Sequence, residues 1–162
     1  MIRTVKIEDA ASICMIYNYY IENTAVSFEA GLISVNEMED RIREISASYP
    51  WLVWEDEESQ VSGYAYISKW KERAAYRFSA EVSIYLRYGT EGQGAGSLLL
   101  GRLLKEVKKT DLHALVAGIT LPNERSVALH EKFGFTKIAQ FKEIGFKLNT
   151  WLDVGYWELI LK

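Results

Sequence analysis

The chain has 162 residues and a mass of 18.6 kDa, the size of one ordinary domain. Its 49% hydrophobic and 25% charged residues exclude a disordered, collagen-like or disulfide-scaffold class. Nineteen basic against twenty-two acidic residues leave a net charge of −3 and a pI near 5.5, which argues against a nucleic-acid partner.

Residues 2–6 (IRTVK) read as a short strand. Over 8–21 the apolar positions Ala10, Ile13, Cys14, Tyr17 and Ile21 recur at helical spacing. Glu8 and Asp9 fall in the first turn of that helix, where its dipole favours acids. A second helix begins after Ser34, which forms a capping box with Glu37 ahead of the stripe Val35, Met38, Ile42 and Ile45.

Beyond Pro50 the pattern changes to strands. WLVWE (51–55) and VSGYAYI (61–67) flank a polar turn, and FSAEVSIYLR (78–87) follows. Residues 97–109 are helical, 114–120 form an apolar strand, and 123–133 form a helix capped by Asn123 and stopped by Gly134. Residues 136–147 and 151–161 read as two further strands. The predicted order is β α α β β β α β α β β. The run from 78 to 120 has the look of a βαβ crossover, which demands local parallel pairing. The fold class is therefore α/β, around a mixed central sheet flanked by helices.

No stretch approaches the roughly 18–20 apolar residues of a membrane-spanning helix. The start MIRTVKIEDA carries Arg3, Lys6, Glu8 and Asp9 without an apolar run behind them, unlike a secretory signal. Cys14 is the sole cysteine, so no internal disulfide forms. Its place on a buried helical stripe marks it as a core thiol rather than a nucleophile. A cytoplasmic protein with no membrane partner is expected.

The most informative stretch is SIYLRYGTEGQGAGSLLLGRLL (83–104), a strand running through a glycine-rich loop into a helix. Glycines at 94 and 96 remove Cβ atoms where a ligand must come close. The first amides of the helix, about Gly94 to Ser97, have no partner within it and lie at the positive end of its dipole. Phosphate groups bind in such places, although a plain turn before a helix has the same composition. A P-loop would need Lys-Ser/Thr after the last glycine, and a dinucleotide fingerprint would follow the first strand with different glycine spacing. Neither fits.

Together with LPNERSVALHEKFGF (121–135), this stretch resembles the GCN5-related N-acetyltransferases, within them the phosphinothricin/methionine sulfoximine acetyltransferase branch. The same likeness runs through IYNYYI (16–21), TAVSFE (24–29), PWLVWE (50–55), GYAYISKWKERAAYRF (63–78), AEVSIYL (80–86) and GFKLNTWLDVGYW (145–157).

The resemblance implies the acyl-CoA N-acyltransferase fold, acetyl-CoA as cosubstrate, and no metal. It implies transfer of the acetyl group to the α-amino group of a small amino-acid-like acceptor. Glu81 takes the place of the general base, acting directly or through water. His130 takes the place of the leaving-group acid, or orients the coenzyme. The backbone of Ile84, Tyr85 and Leu86 would pair with the pantetheine arm. Glu91, Gly92, Gln93, Gly94, Ala95, Gly96 and Ser97 would hold the pyrophosphate, with Asn123 near the coenzyme. Phe28, Glu29, Lys71, Arg73 and Tyr76 would meet the acceptor, Glu29 beside its amine and the cations on its acidic groups. A homodimer is implied through the aromatic strand 151–157.

Glu91 departs from the family loop, which commonly opens on Gln or Arg. A carboxylate facing a diphosphate is unfavourable, so Glu91 is expected to turn to solvent with only its amide in use. Other amine acceptors (a polyamine, an aminoglycoside or a protein N-terminus) and a non-catalytic coenzyme-binding module stay open. The Lys71/Arg73 pair argues against polycations. Lys147 and Trp151 have no assigned chemistry.

Overall fold

A computed structural model describes residues 1–162. The elements are β1 (Ile2–Thr4), α1 (Ala10–Asn23), α2 (Val35–Ser46), β2 (Trp51–Glu55), β3 (Val61–Lys69), β4 (Ser79–Leu86), α3 (Ala95–Val107), β5 (Ala114–Leu121), α4 (Glu124–Lys132), β6 (Thr136–Lys147) and β7 (Thr150–Ile160). This is the order read from the sequence, with boundaries moved by a residue or two. Short 3-10 turns precede α1 and β4.

Boundary chemistry explains the shifts. Ser34 Oγ accepts from Glu37 N at 3.1 Å, but the Glu37 carboxylate bonds Arg41 instead of reaching back, so the predicted capping box is half formed. Helix α3 starts at Ala95 rather than Ser97 because Gly94, at φ +82°, supplies a left-handed entry. It stops at Val107, whose carbonyl accepts from the Thr110 hydroxyl at 2.6 Å.

The seven strands form one sheet in the order β1-β2-β3-β4-β5-β7-β6. Its pairings are antiparallel except β4 with β5. That parallel pair is the predicted crossover.

Side chains alternate across a strand, and the two faces bury different helices. Trp51, Val53 and Tyr64 pack with Ile13, Ile16, Met38 and Ile42 of α1 and α2. Leu52, Ala65, Ile67, Val82 and Leu115 pack with α3, whose Leu99, Leu100, Leu103 and Val107 are wholly buried. Each such side chain contributes about 1.5–3 kcal/mol over leaving it exposed. Helix α4 lies on the α3 side, where Trp157 Nε1 donates to Glu131 at 3.0 Å.

Two irregularities position the site. The β4–β5 ladder ends early: Ser79 faces Ala114, Ala80 faces Leu115 and Glu81 faces Val116, and there the pairing stops. Both strands run on for five more residues, to Leu86 and Leu121, leaving a slit in the sheet. The second irregularity is a bulge in β6, where register jumps from Phe141–Val154 to Gly145–Leu152. Asp153 holds it, accepting from Glu143 N and from Gln140 Nε2, each at 2.8 Å.

Candidate active site

An open cleft of about 690 Å³ occupies the slit. Its walls are the parted edges of β4 and β5, from Glu81 to Tyr85 and from Ala117 to Thr120. One mouth opens toward α1 and the loop after it, at Tyr17, Phe28 and Glu29; the other opens toward α4, at Ser126 and His130. The cleft therefore passes through the sheet, and this brings together side chains from opposite faces.

Alternation along β4 sends Ala80 and Val82 to the α3 core and packs Tyr85 against the α1–α2 side. Glu81 shares the α1–α2 side and is half-buried. Burial lifts its carboxyl above the ordinary 4.5, with the Lys71 charge pulling the other way. A carboxylate that binds protons more readily is a better base near neutral pH.

His130 enters from the other face and is 3% exposed. Its Nδ1 lies 2.7 Å from the Ser126 carbonyl, and its ring meets Phe135 edge-on at 5.3 Å. A carbonyl only accepts, so Nδ1 carries the hydrogen and Nε2 holds the lone pair. Nε2 is buried without a partner. Burial also pulls the imidazole below its ordinary 6.5. At neutral pH this group can take a proton but holds none on Nε2 to give. The sequence reading offers His130 as the leaving-group acid or as an orienter of the coenzyme; to act as the acid it must first gain a proton on Nε2.

Ile84 and Tyr85 line the cleft; Leu86 lies at the end of the same free edge. There the main chain of Val82 through Leu86 has no partner in β5, so an extended ligand could pair with it as an added strand. Tyr20 anchors the edge by donating to the Leu86 carbonyl at 2.6 Å. The Tyr85 ring packs with Tyr17, Tyr20 and Tyr64.

Beyond this edge the loop turns through Gly89, Gly92 and Gly94, all at positive φ. No side chain caps α3, so the amides of Ala95, Gly96 and Ser97 remain available. Gly92, Gln93 and Gly94 are exposed. Glu91 folds back at the exposed loop surface to accept from Gly89 N at 2.8 Å, which ties its carboxylate to its own loop. Lys132 of α4 reaches the same helix end, donating to Ser97 Oγ at 3.1 Å; it was not singled out in the sequence. Asn123 lines the cleft, and its Oδ1 caps α4 through Ser126 N at 3.2 Å.

The residues expected to meet the acceptor divide. Phe28 and Glu29 line the cleft. Both Glu29 oxygens are held by Arg41, at 2.6 and 3.0 Å, so its charge is already matched. Lys71, Arg73 and Tyr76 sit on the exposed β3–β4 connection outside the cleft lining. Lys71 lies over the Trp70 ring at 4.9 Å, and Trp70 meets Tyr156 of the cleft wall edge-on at 5.7 Å. Tyr17, Ile144 and Tyr156 line the cleft without having been assigned a role. The first and last lie in segments that carried the resemblance, where helical spacing for Tyr17 and strand pattern for Tyr156 could not tell a pocket aromatic from a core one.

Residues 2–155 match the family model for the acetyltransferase (GNAT) domain. The chain is 38% identical to the phosphinothricin N-acetyltransferase of Streptomyces viridochromogenes over 97% of its own length and 85% of that protein. It is 34% identical to the L-methionine sulfoximine/L-methionine sulfone acetyltransferase of Salmonella typhimurium, over 94% and 90%. Its structure superposes with a TM-score of 0.96 on the GNAT phosphinothricin acetyltransferase of Sinorhizobium meliloti in complex with acetyl-CoA, at 34% identity over 99% and 87%. The family model and these relatives each span nearly the whole of the chain, and the chain belongs to the GNAT acetyltransferase family.

Proposed function

We propose that this enzyme transfers the acetyl group of acetyl-CoA to the α-amino group of a small amino-acid-like acceptor of the phosphinothricin or methionine sulfoximine type. One observation carries the reading. The cleft through the sheet holds a half-buried carboxylate, Glu81, on one side and an unpartnered imidazole nitrogen, His130 Nε2, on the other.

The donor's diphosphate sits on the amides of Ala95 to Ser97, with Lys132 adding positive charge, and its arm pairs with the edge of Ile84 to Leu86. The thioester then lies in the slit between the two groups. The acceptor enters on the Phe28 side, where Lys71 and Arg73 give a positive rim for its acidic groups.

An α-ammonium cannot attack. Glu81 removes its first proton, directly or through water, and releases it to solvent. The free amine attacks the thioester carbonyl, forming the C–N bond. The second nitrogen proton passes to His130 Nε2. As the C–S bond breaks, His130 returns that proton to the departing thiolate. The products are the N-acetyl amide, coenzyme A thiol and one proton, and the imidazole ends neutral as it began.

The test is thiol release from acetyl-CoA with L-phosphinothricin, L-methionine sulfoximine, L-methionine sulfone, spermidine, an aminoglycoside and an N-terminal peptide. Turnover confined to the amino-acid analogues is expected. Turnover of spermidine or a peptide instead would replace the acceptor class, and coenzyme binding without any turnover would leave a binding module.

We also propose a homodimer, supported by the exposed Phe146 and Trp151 on the β6–β7 hairpin; sedimentation checks it. The lone cysteine accords with a cytoplasmic setting, and no helix is long and apolar enough to cross a membrane.

A further inference from the structure

The loop between α1 and α2, residues 24–33, has no regular secondary structure, yet it supplies Phe28 and Glu29 to the cleft. Its two ends are tied to helix α1. Thr24 Oγ1 donates to the Tyr20 carbonyl at 2.8 Å, and the Asn18 side chain bonds both main-chain groups of Ile33, at 2.9 and 3.0 Å. The middle, which faces the cleft, is fastened to the far hairpin.

Two contacts do this. Lys147, at the end of β6, donates from Nζ to the Ser27 carbonyl at 2.5 Å. The pair joins residues 120 positions apart in sequence. The Phe28 ring lies on Gly145, so close that a Cβ at 145 would come within 2.4 Å of it. Gly145 owes its place to the β6 bulge held by Asp153, and the same bulge brings Ile144 to the cleft wall.

Nothing in stability alone explains Lys147. Its ammonium goes to a main-chain carbonyl rather than to a carboxylate, and burial pulls it below its ordinary 10.5. A lysine serving only solubility would stay in water. Gly145 is buried and keeps a negative φ, so no turn demands glycine there. What demands it is the aromatic ring of the loop.

We propose that Gly145 and Lys147 are positioning residues that clasp loop 24–33 onto the β6 bulge, and that this clasp sets the fit of the acceptor without touching the donor. The claim rests on the reading that the Phe28 side of the cleft receives the acceptor. Neither side chain lies at the reacting atoms. Lys147 and Gly145 act through Ser27 and Phe28, fixing a wall that would otherwise swing with an irregular loop.

The experiment uses Lys147→Met, which keeps length and loses the donor; Lys147→Arg, which keeps a donor; and Gly145→Ala. Steady-state kinetics are measured with L-methionine sulfoximine and acetyl-CoA, and amide hydrogen exchange is followed by mass spectrometry. Lys147→Met and Gly145→Ala are expected to raise the acceptor KM by about ten- to a hundredfold, the upper figure being the cost of a full ångström of misplacement. The acetyl-CoA KM and kcat hold. Exchange quickens in 24–33 but not in 79–121, and Lys147→Arg largely restores both readouts.

Unchanged exchange in 24–33 overturns the clasp. So does a loosened loop with an unchanged acceptor KM, or a donor KM that rises in step with it. If the wild-type enzyme turns over no amino-acid analogue, the proposed acceptor class fails, while the exchange measurement still decides whether the clasp exists.

Discussion

Gly118 on β5 leaves the room in which the Glu81 carboxylate of β4 stands. A Cβ at 118 would lie 3.6 Å from Oε1 of Glu81 and 3.1 Å from the Tyr156 ring. The first distance is ordinary contact and the second is tight. Gly118→Ala should therefore shift the Tyr156 ring slightly and cost little activity. Gly118→Val adds methyl groups that reach the carboxylate, and kcat should fall about ten- to a hundredfold with the acetyl-CoA KM nearly unchanged. Initial rates at saturating donor check this.

Glu81→Gln should lower kcat about a hundredfold or more, the usual worth of a positioned base. The same change should stabilise the fold at neutral pH. Burial raises the folded-state carboxyl above its ordinary 4.5, so the folded chain holds a proton more readily than the unfolded one. As pH rises from 4.5 through the raised value, ionising Glu81 costs stability, and above it the whole cost is present. Melting curves at pH 4 and pH 8 should show Glu81→Gln gaining Tm at the higher pH and little at the lower.

For His130 the sign is reversed. Its folded-state value lies below the ordinary 6.5, so the unfolded chain takes up the proton first. Stability should decline as pH falls from 6.5 through the folded value, and His130→Gln should remove that part of the decline. Nitrogen-15 spectra at pH 7 should show the Nδ1–H tautomer. A protonated Nε2 there would exclude the proposed relay. His130→Ala should lower kcat roughly ten- to a hundredfold.

At the donor end, Gly94 holds φ +82° with open space where a Cβ would stand. Gly94→Ala should cost about 1 kcal/mol of stability through left-handed strain. It should also weaken coenzyme A binding by calorimetry, because the strain falls on the loop that opens the proposed diphosphate site. Lys132→Met should raise the acetyl-CoA KM several-fold, and the difference from wild type should shrink as salt screens the charge.

Much of this was legible in the chain. Helical spacing, strand alternation and the caps at Ser34 and Asn123 gave every element, and the glycine run gave the uncapped end of α3. The slit was not legible. Nothing in AEVSIYL or ALVAGIT says that pairing ends at Glu81 and Val116, since both segments keep the same strand-forming composition past that point. The tautomer of His130 depends on a carbonyl four residues back, and no composition rule reads that. The Arg41 partner of Glu29 was missed because it sits twelve residues on, on a helix read only for its cap and its apolar stripe. Lys147 was visible as a residue without a task; its task lies in a loop 120 positions earlier, a distance that periodicity cannot span.

Since β4 and β5 are welded over only three residue pairs, the molecule is in effect two half-sheets sharing one short joint. Any occupant of the gap bears on both halves at once, so filling it and resisting unfolding become the same thermodynamic event. Saturation at a hundred times the dissociation constant should add about 2.7 kcal/mol to the folded state. The cosubstrate would then double as the missing stave of the sheet.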